Sequence, residues 1–323
     1  MNVVAIGRTR MLLDTIQLLH QAGHQIPLVA TCRASQRRTA QEQDFAMLAK
    51  TVGAEFLSTQ SLNSDEAVGL IRAARGEVGV SVDWVNLIGP ETCGCLQHGI
   101  FNAHGGDLPR YRGNSPVSWA ILRGERVVGL TIHQMDPHEL DAGPIALKEM
   151  YPISEATYVR DVFDFIEARV PPLFLEAITK LASGSLQLTP QRSDEGDILR
   201  CYPRIPSDGW LEWGKPARHL SRLVHATAEP FDGAFTEFGG SRLTVWRARA
   251  EEWAHPSLAV PGQVTRRDSV SGEVAVATGD GVLVLEEVEL GDAGRCRAAG
   301  VIRSVRNRLG QAAGPSPRHR DAQ

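Results

Sequence analysis

The first hundred residues alternate short, wholly apolar runs with longer segments of helical periodicity, and few folds accept that pattern. The apolar runs are "VVAIG", "IPLVAT", "VGVSV" and "GIFNAH". Between them, Met11 to Ala22 carries Leu12, Ile16 and Leu19 at helical spacing. Gln41 to Val52 reads as a second helix and Ala67 to Ala74 as a third. A strand that is apolar at every position has both faces covered, as in a parallel sheet flanked by helices. In such sheets ligands gather beyond the carboxyl ends of the strands.

The pattern continues with a helix in "SPVSWAILRGE", a strand in "VGLTIHQM", an irregular stretch "DPHELDAG" and a strand in "PIALKEMYPI". Thr157 to Ser183 is helical in pattern, with a kink or break expected at Pro171 and Pro172. The polar stretch "TPQRSDEGDILRCYPRIPSDG" reads as a linker. Beyond it Leu211 to Ala228 reads as a helix, and then short β-rich segments dominate. In "EVAVATGDGVLVLEEVEL", the "GDG" between two apolar runs is a hairpin signal. The expected fold is therefore α/β: a Rossmann-like parallel-sheet domain over residues 1–190, a linker over 191–205, and a smaller β-rich, OB-like barrel over 206–310. The tail 311–323 has nothing to bury and is expected to be disordered.

Charge and cysteine usage narrow the function. A formal net charge of −4 gives no global attraction to nucleic acid or anionic membrane. No apolar run approaches the roughly 18–20 residues that span a bilayer. The N-terminus reads as a first strand and helix rather than a signal peptide, which makes the expected location cytoplasmic. The five cysteines are Cys32, Cys93, Cys95, Cys201 and Cys296, an odd number that suits free thiols in a reducing compartment. Cys93 and Cys95 have no second pair at zinc spacing, so no metal is expected.

The chemistry concentrates in "FNAHGGDLPRYRGNSP", residues 101–116. Asn102 and His104 lie two apart on an extended segment, so their side chains share a face. An amide N–H can meet a developing oxyanion, and an imidazole moves protons near neutral pH. Gly105 and Gly106 leave room for a ligand's close approach. A carboxylate is needed to orient the histidine, and Asp141 in "ELDAGPI", where an irregular loop re-enters a strand, is the best placed. Taken singly, each of these residues is also an ordinary turn or packing residue. Only their combination favours a site.

Three elements of this stretch occur together in one family. Asn-x-His, Leu-Pro-x-Tyr-Arg-Gly and a later Asp-x-Gly, with "GWLEWGKPARHLSRLVHATAEPFDGAF" further on, resemble the 10-formyltetrahydrofolate-dependent formyltransferases. That family includes methionyl-tRNA formyltransferase and the enzyme that formylates UDP-4-amino-4-deoxy-L-arabinose. The resemblance covers roughly residues 1–310 and implies a Rossmann-like formyltransferase domain ahead of a C-terminal barrel. It implies Asn102 as oxyanion stabiliser, His104 as general acid/base, and Asp141 as the group that raises the His104 pKa. It maps a folate site to Asn86, Leu87, Ile88, Asn114, Asp136 and Leu140. The acceptor side falls to Gly105, Asp107, Arg112 and Arg204. Asn114 stands where the aminoarabinose enzyme carries arginine, and Gly106-Asp107-Leu108-Pro109 replaces the usual Ser-Leu-Leu-Pro. Trp119 reads as core rather than a substrate platform.

The implied donor is 10-formyltetrahydrofolate, and the acceptor is a small-molecule primary amine. From Ile205 onward basic and acidic residues are equal in number, and "CRASQRR" (Arg33, Arg37, Arg38) is the one early basic cluster. A tRNA acceptor calls for a concentrated basic stripe. The C-terminal wording also resembles the aminoarabinose type, so an amino sugar on a nucleotide is expected ahead of methionyl-tRNA or an amino acid such as hydroxyornithine. A homodimer is compatible with this reading. A formyltetrahydrofolate hydrolase is expected to carry an added N-terminal domain, whereas this sequence opens on its first strand. A non-catalytic dinucleotide module is disfavoured because "AIGRTRML" lacks G-x-G-x-x-G.

Overall fold

The structure is a computed structural model that describes residues 1–33, 40–191, 198–255 and 257–310. Arg37, Arg38, part of the expected linker and the tail 311–323 lie outside the described residues.

The chain opens with β1 (Asn2–Gly7), α1 (Arg10–Gln21), β2 (Gln25–Thr31), α2 (Glu42–Val52), β3 (Glu55–Ser58), α3 (Asp65–Ala73) and β4 (Val78–Val82). A short α4 (Pro90–Cys93) precedes β5 (Ile100–His104) and the two-residue β6 (Arg112–Gly113). Then come α5 (Pro116–Arg123), β7 (Val127–Gln134), β8 (Ile145–Pro152), α6 (Val159–Ala182) and β9 (Arg200–Cys201). After a 3-10 turn at Pro206–Gly209 follow α7 (Ala217–Thr227), β10 (Ala234–Phe238), β11 (Ser241–Glu251), β12 (Val264–Arg267), β13 (Val274–Ala277), β14 (Val282–Leu290), β15 (Arg295–Arg297) and α8 (Ala298–Val301).

The chain divides into two compact units. The first comprises residues 1–116, 127–152 and 162–202; the second comprises 117–126, 153–161 and 203 onward. Two short segments of the N-terminal half thus belong with the C-terminal strands, because Leu122 and Tyr158 pack against that core.

The first unit holds a seven-stranded sheet ordered β3-β2-β1-β4-β5-β7-β8. The first five strands are parallel, while β7 and β8 add antiparallel. Val3, Val4, Ala5 and Ile6 of β1 and Val78 and Val80 of β4 are fully buried, as strands covered on both faces must be. Local signals set the helix ends. Gln41 and Asp44 form a reciprocal capping box at α2, Gly53 closes it in the left-handed conformation, and the Ser64 hydroxyl caps α3.

Two sequence expectations are corrected. Helix α6 runs unbroken through Pro171 and Pro172. Its buried stripe of Val162, Ile166, Val170, Leu173, Phe174, Ala177 and Ile178 continues on both sides of the prolines, and burial of that stripe outweighs the roughly 3 kcal/mol that a helix-interior proline costs. The helix expected from Leu211 begins only at Ala217. Leu211 N–H bonds Phe235 O at 2.8 Å instead, so Trp210 and Leu211 pair beside β10 and the chain then turns, with Trp213 in the core.

The second unit is β-rich, with β10-β11-β14-β13-β12 as an antiparallel sheet and β15 beside β14. The "GDG" hairpin forms between β13 and β14. The core of this unit gathers Leu220 and Val224 of α7 with Leu243, Val245, Val276, Leu283 and Leu285 of the sheet.

Candidate active site

The site begins with the register of β5 against β7. Asn102 lies opposite His133 and His104 opposite Thr131. Directly opposed residues of an antiparallel pair share a face, as do alternate residues of one strand, so all four side chains stand on one side of the sheet. Asn102 Nδ2 lies 3.3 Å from His133 Nε2. The Thr131 hydroxyl donates to Gly106 O at 2.8 Å, fixing the chain as it leaves β5.

The loop between β7 and β8 brings the carboxylate. Asp136 Oδ1 accepts the N–H groups of His138 and Glu139, which turns the chain. Asp141 adopts a left-handed φ of 54°, a region that Asp tolerates better than most residues. Its Oδ2 lies 3.5 Å from His104 Nδ1 and accepts the Gly113 N–H at 2.8 Å; its Oδ1 lies 3.4 Å from His133 Nε2. Gly143 follows by necessity, since a Cβ there would lie 1.9 Å from Gln134 O. Gly106 is needed for a similar reason: a Cβ would stand 2.6 Å from His104 Nε2 and 2.9 Å from Tyr111 O. This glycine makes room for the catalytic candidate itself.

His104, His133 and Asp141 are all buried. Burial pushes the His104 pKa down, against the opposing pull of Asp141 and the Tyr111 carbonyl. Burial alone would raise the Asp141 carboxyl. In the acid range the charged His104 and His133 rings and the Gly113 N–H bring it instead down to about 2. His104 Nε2 lies 2.7 Å from Tyr111 O while Nδ1 faces Asp141. Both ring nitrogens therefore face oxygens, so a neutral ring satisfies one of them and a second proton would satisfy both.

The structure thus brings Asn102, His104 and Asp141 together, and adds two residues the sequence reading did not single out. His133 touches both Asn102 and Asp141. Gln191 donates to Asp141 O at 2.8 Å and Gly143 O at 2.7 Å while its Oε1 accepts from Arg112. Arg112 was assigned to the acceptor. It is 3 % exposed, and its guanidinium is taken up by Gln191 and by Glu139 at 2.9 Å, so it braces the loop. Asp107, assigned likewise, pairs with Lys148 at 2.8 Å, and the same ammonium donates to Leu108 O.

The expected cofactor residues fall on two loops. Asn63 ties the stretch after β4, donating to Leu87 O at 2.8 Å and accepting from Gly89 N–H at 2.7 Å. Asn86 donates to Gln60 O, Ile88 is buried, and Leu87 is 70 % exposed. Val85 and Leu140 are exposed as well, and the buried Trp84 Nε1 has no hydrogen-bond partner among the described residues. Asn114 is exposed, with its N–H bonded to Cys201 O. Arg204 lies in the second unit, its guanidinium 5.2 Å from the Trp119 ring in a cavity of about 280 Å³ that Trp210, Lys215 and His219 also line. Among the described residues no group of three or more His, Cys, Asp or Glu could hold a metal, and no helix is long and apolar enough to cross a membrane.

A buried imidazole beside a carboxylate, two residues along the strand from an amide, suits a site that passes an acyl group to a nucleophile while shuttling its proton. Comparison with known proteins places the chain more closely. It belongs to the formyl transferase family, whose model matches residues 1–177, and the model of the formyl transferase C-terminal domain matches residues 205–306. Among solved structures it is similar to HypX from Aquifex aeolicus in complex with tetrahydrofolic acid. The two are 17% identical over 94% of this chain and 47% of that one, with a TM-score of 0.61. An N-formyltransferase from Helicobacter canadensis, in complex with folinic acid and dTDP-3-aminofucose, is 12% identical over 88% of this chain and 98% of that one, at 0.64. Methionyl-tRNA formyltransferase from Clostridium thermocellum is 16% identical over 78% and 94%, at 0.54. At these identities the likeness is one of fold, and the chain spans about half the length of the HypX structures it matches.

Proposed function

We propose that this chain moves the formyl group of 10-formyltetrahydrofolate to the primary amine of a nucleotide-linked amino sugar. The observation that carries the reading is the buried contact of His104 with Asp141, two residues along the strand from Asn102. The residues present fit a folate: exposed Val85, Leu87 and Leu140 offer apolar surface to a flat ring, and Trp84 Nε1 is a donor that finds no acceptor among the described residues. When bound, the folate supplies a formyl carbon already activated on N10.

The chain's residues do the rest. Asn102 offers an amide N–H to the formyl oxygen as charge builds there. His104 takes the proton that the attacking amine releases and returns it to N10 as the C–N10 bond breaks, so the products are a formamide and tetrahydrofolate. Asp141 stabilises the imidazolium between those two events. Asn86, Leu87, Ile88, Asn114, Asp136 and Leu140 form the folate side in this reading. Gly105 and Arg204 form the acceptor side, and Asp107 and Arg112 shape the loop. The equal numbers of basic and acidic residues from Ile205 onward favour a sugar over tRNA. A cytoplasmic location belongs to the same reading.

The test is turnover of 10-formyltetrahydrofolate against nucleotide amino sugars and charged initiator tRNA. Transfer to a sugar amine, lost in His104→Ala and Asp141→Asn, is expected. Transfer to tRNA alone would overturn the acceptor, and full activity in either variant would overturn the mechanism.

A further inference from the structure

His133 has no part in the chemistry above, yet it is 1 % exposed in the middle of it. Its two ring nitrogens face different company. Nδ1 stands 3.0 Å from Gln134 O, an acceptor, so Nδ1 carries a proton. While the ring carries that single proton, Nε2 is bare toward both Asn102 and Asp141. The bare nitrogen lies 3.3 Å from Asn102 Nδ2 and takes one of its two N–H groups. The reverse amide orientation would set the Asn102 carbonyl oxygen against that same lone pair. Asp141 Oδ1 lies 3.4 Å from Nε2, and His104 stands edge-on with ring centroids 6.3 Å apart. A second proton on His133 would turn Nε2 from acceptor to donor, toward Asp141, and release the amide.

We propose that His133 is a positioning residue for Asn102: its unprotonated Nε2 holds one amide N–H and thereby aims the other at the formyl oxygen. The kinetic side of this rests on the formyl-transfer reading; the hydrogen-bond pattern does not. Misdirecting a single oxyanion donor while leaving the rest of the site in place costs on the order of 10- to 100-fold in rate.

The test has a spectroscopic arm and a kinetic arm. In the whole protein labelled with ¹⁵N-histidine and ¹⁵N-asparagine at pH 8, His133 should show a protonated Nδ1 and a bare Nε2. The Asn102 side-chain signal, identified by its loss in Asn102→Asp, should move in His133→Leu. A protonated Nε2 on His133 at that pH overturns the proposal, and this holds even if His133→Leu fails to fold. In the formyl-transfer assay, His133→Leu should lower kcat roughly 10- to 100-fold with the KM for the folate donor unchanged, and His133→Gln, which keeps an acceptor oxygen, should recover part of it. In an Asn102→Ala background His133→Leu should cost less than about threefold, because the residue it serves is gone. An equal loss with and without Asn102 overturns the proposal. A wild-type protein that moves no formyl group to any amine would refute the formyl-transfer reading instead, while the spectra still decide the role of His133.

Discussion

Each unit buries a histidine whose Nε2 meets a main-chain oxygen, and the two make an instructive pair. In the second unit, His225 Nε2 lies 2.9 Å from Ala248 O and 3.5 Å from the Ser221 hydroxyl, with the Tyr158 ring tilted against it at 4.1 Å. In the first, His104 Nε2 lies 2.7 Å from Tyr111 O. Burial lowers both pKa values. The difference is what the rest of each ring meets. His225 is packed against a phenol ring and a hydroxyl in a helix-to-strand contact, whereas His104 turns its second nitrogen to a buried carboxylate. Burial alone makes a core histidine; in the proposed reaction, the buried carboxylate on its other nitrogen is what suits His104 to carry a proton.

That contrast should break first in kinetics. His104→Ala and Asp141→Asn should lower kcat by about 10²–10⁴-fold, whereas His225→Gln should leave it within about twofold. A comparable loss in His225→Gln would erase the distinction. Because burial lowers the His104 pKa, the acid limb of the rate profile should fall below the ordinary histidine value of about 6.5.

The loop that delivers the carboxylate comes next. Gly143→Ala forces a Cβ against Gln134 O and should cost about 3 kcal/mol in denaturant unfolding, with activity falling as Asp141 is displaced. Unchanged stability would show that the loop can shift freely.

Linkage gives a smaller effect. The Asp141 pKa is depressed in the folded state, so its stabilisation is present above about 3.9 and lost as pH falls toward about 2. Its size is about 2 kcal/mol, and the pH dependence of unfolding over that window should be shallower in Asp141→Asn. The two histidines add a loss of stability as pH falls below about 6.5, and His225→Gln should remove one share of it without touching catalysis.

The smallest effect belongs to Arg249, next to the carbonyl that anchors His225. It pairs with Glu273 at 2.7 Å and Glu286 at 2.8 Å, but it is partly exposed. Arg249→Met should cost about 1 kcal/mol or less and leave transfer rates unchanged.

The sequence made the parallel half of the first unit legible because both rules behind it are local: apolar strands and periodic helices. The "GDG" hairpin was readable for the same reason. Helix α6 was legible as a helix, but its continuity through Pro171 and Pro172 was not, because the prolines are local facts while the buried stripe that overrides them is a tertiary one. The same divide runs through the site. Asn102 and His104 announce themselves as polar residues two apart in an apolar strand. Thr131 and His133 repeat that pattern in "GLTIHQM", and it was the available signal for His133. What the sequence withholds is the register that sets Asn102 opposite His133, since no tight turn links β5 to β7. Gln191 lies farther still, in a stretch that reads as a linker, where only the folded loop gives an amide something to hold.

The antiparallel addition of β7 and β8 to a parallel sheet also sets an order of events. During synthesis the five parallel strands leave the ribosome first, with Asn102 and His104 already at their edge. The Asn102 amide and His104 Nδ1 meet His133 and Asp141 only after the chain has passed those residues, and the Asp141 loop gains its last brace when Gln191 arrives. The candidate site is therefore assembled only late in the synthesis of the N-terminal unit, when the segment that carries Gln191 reaches the Asp141 loop.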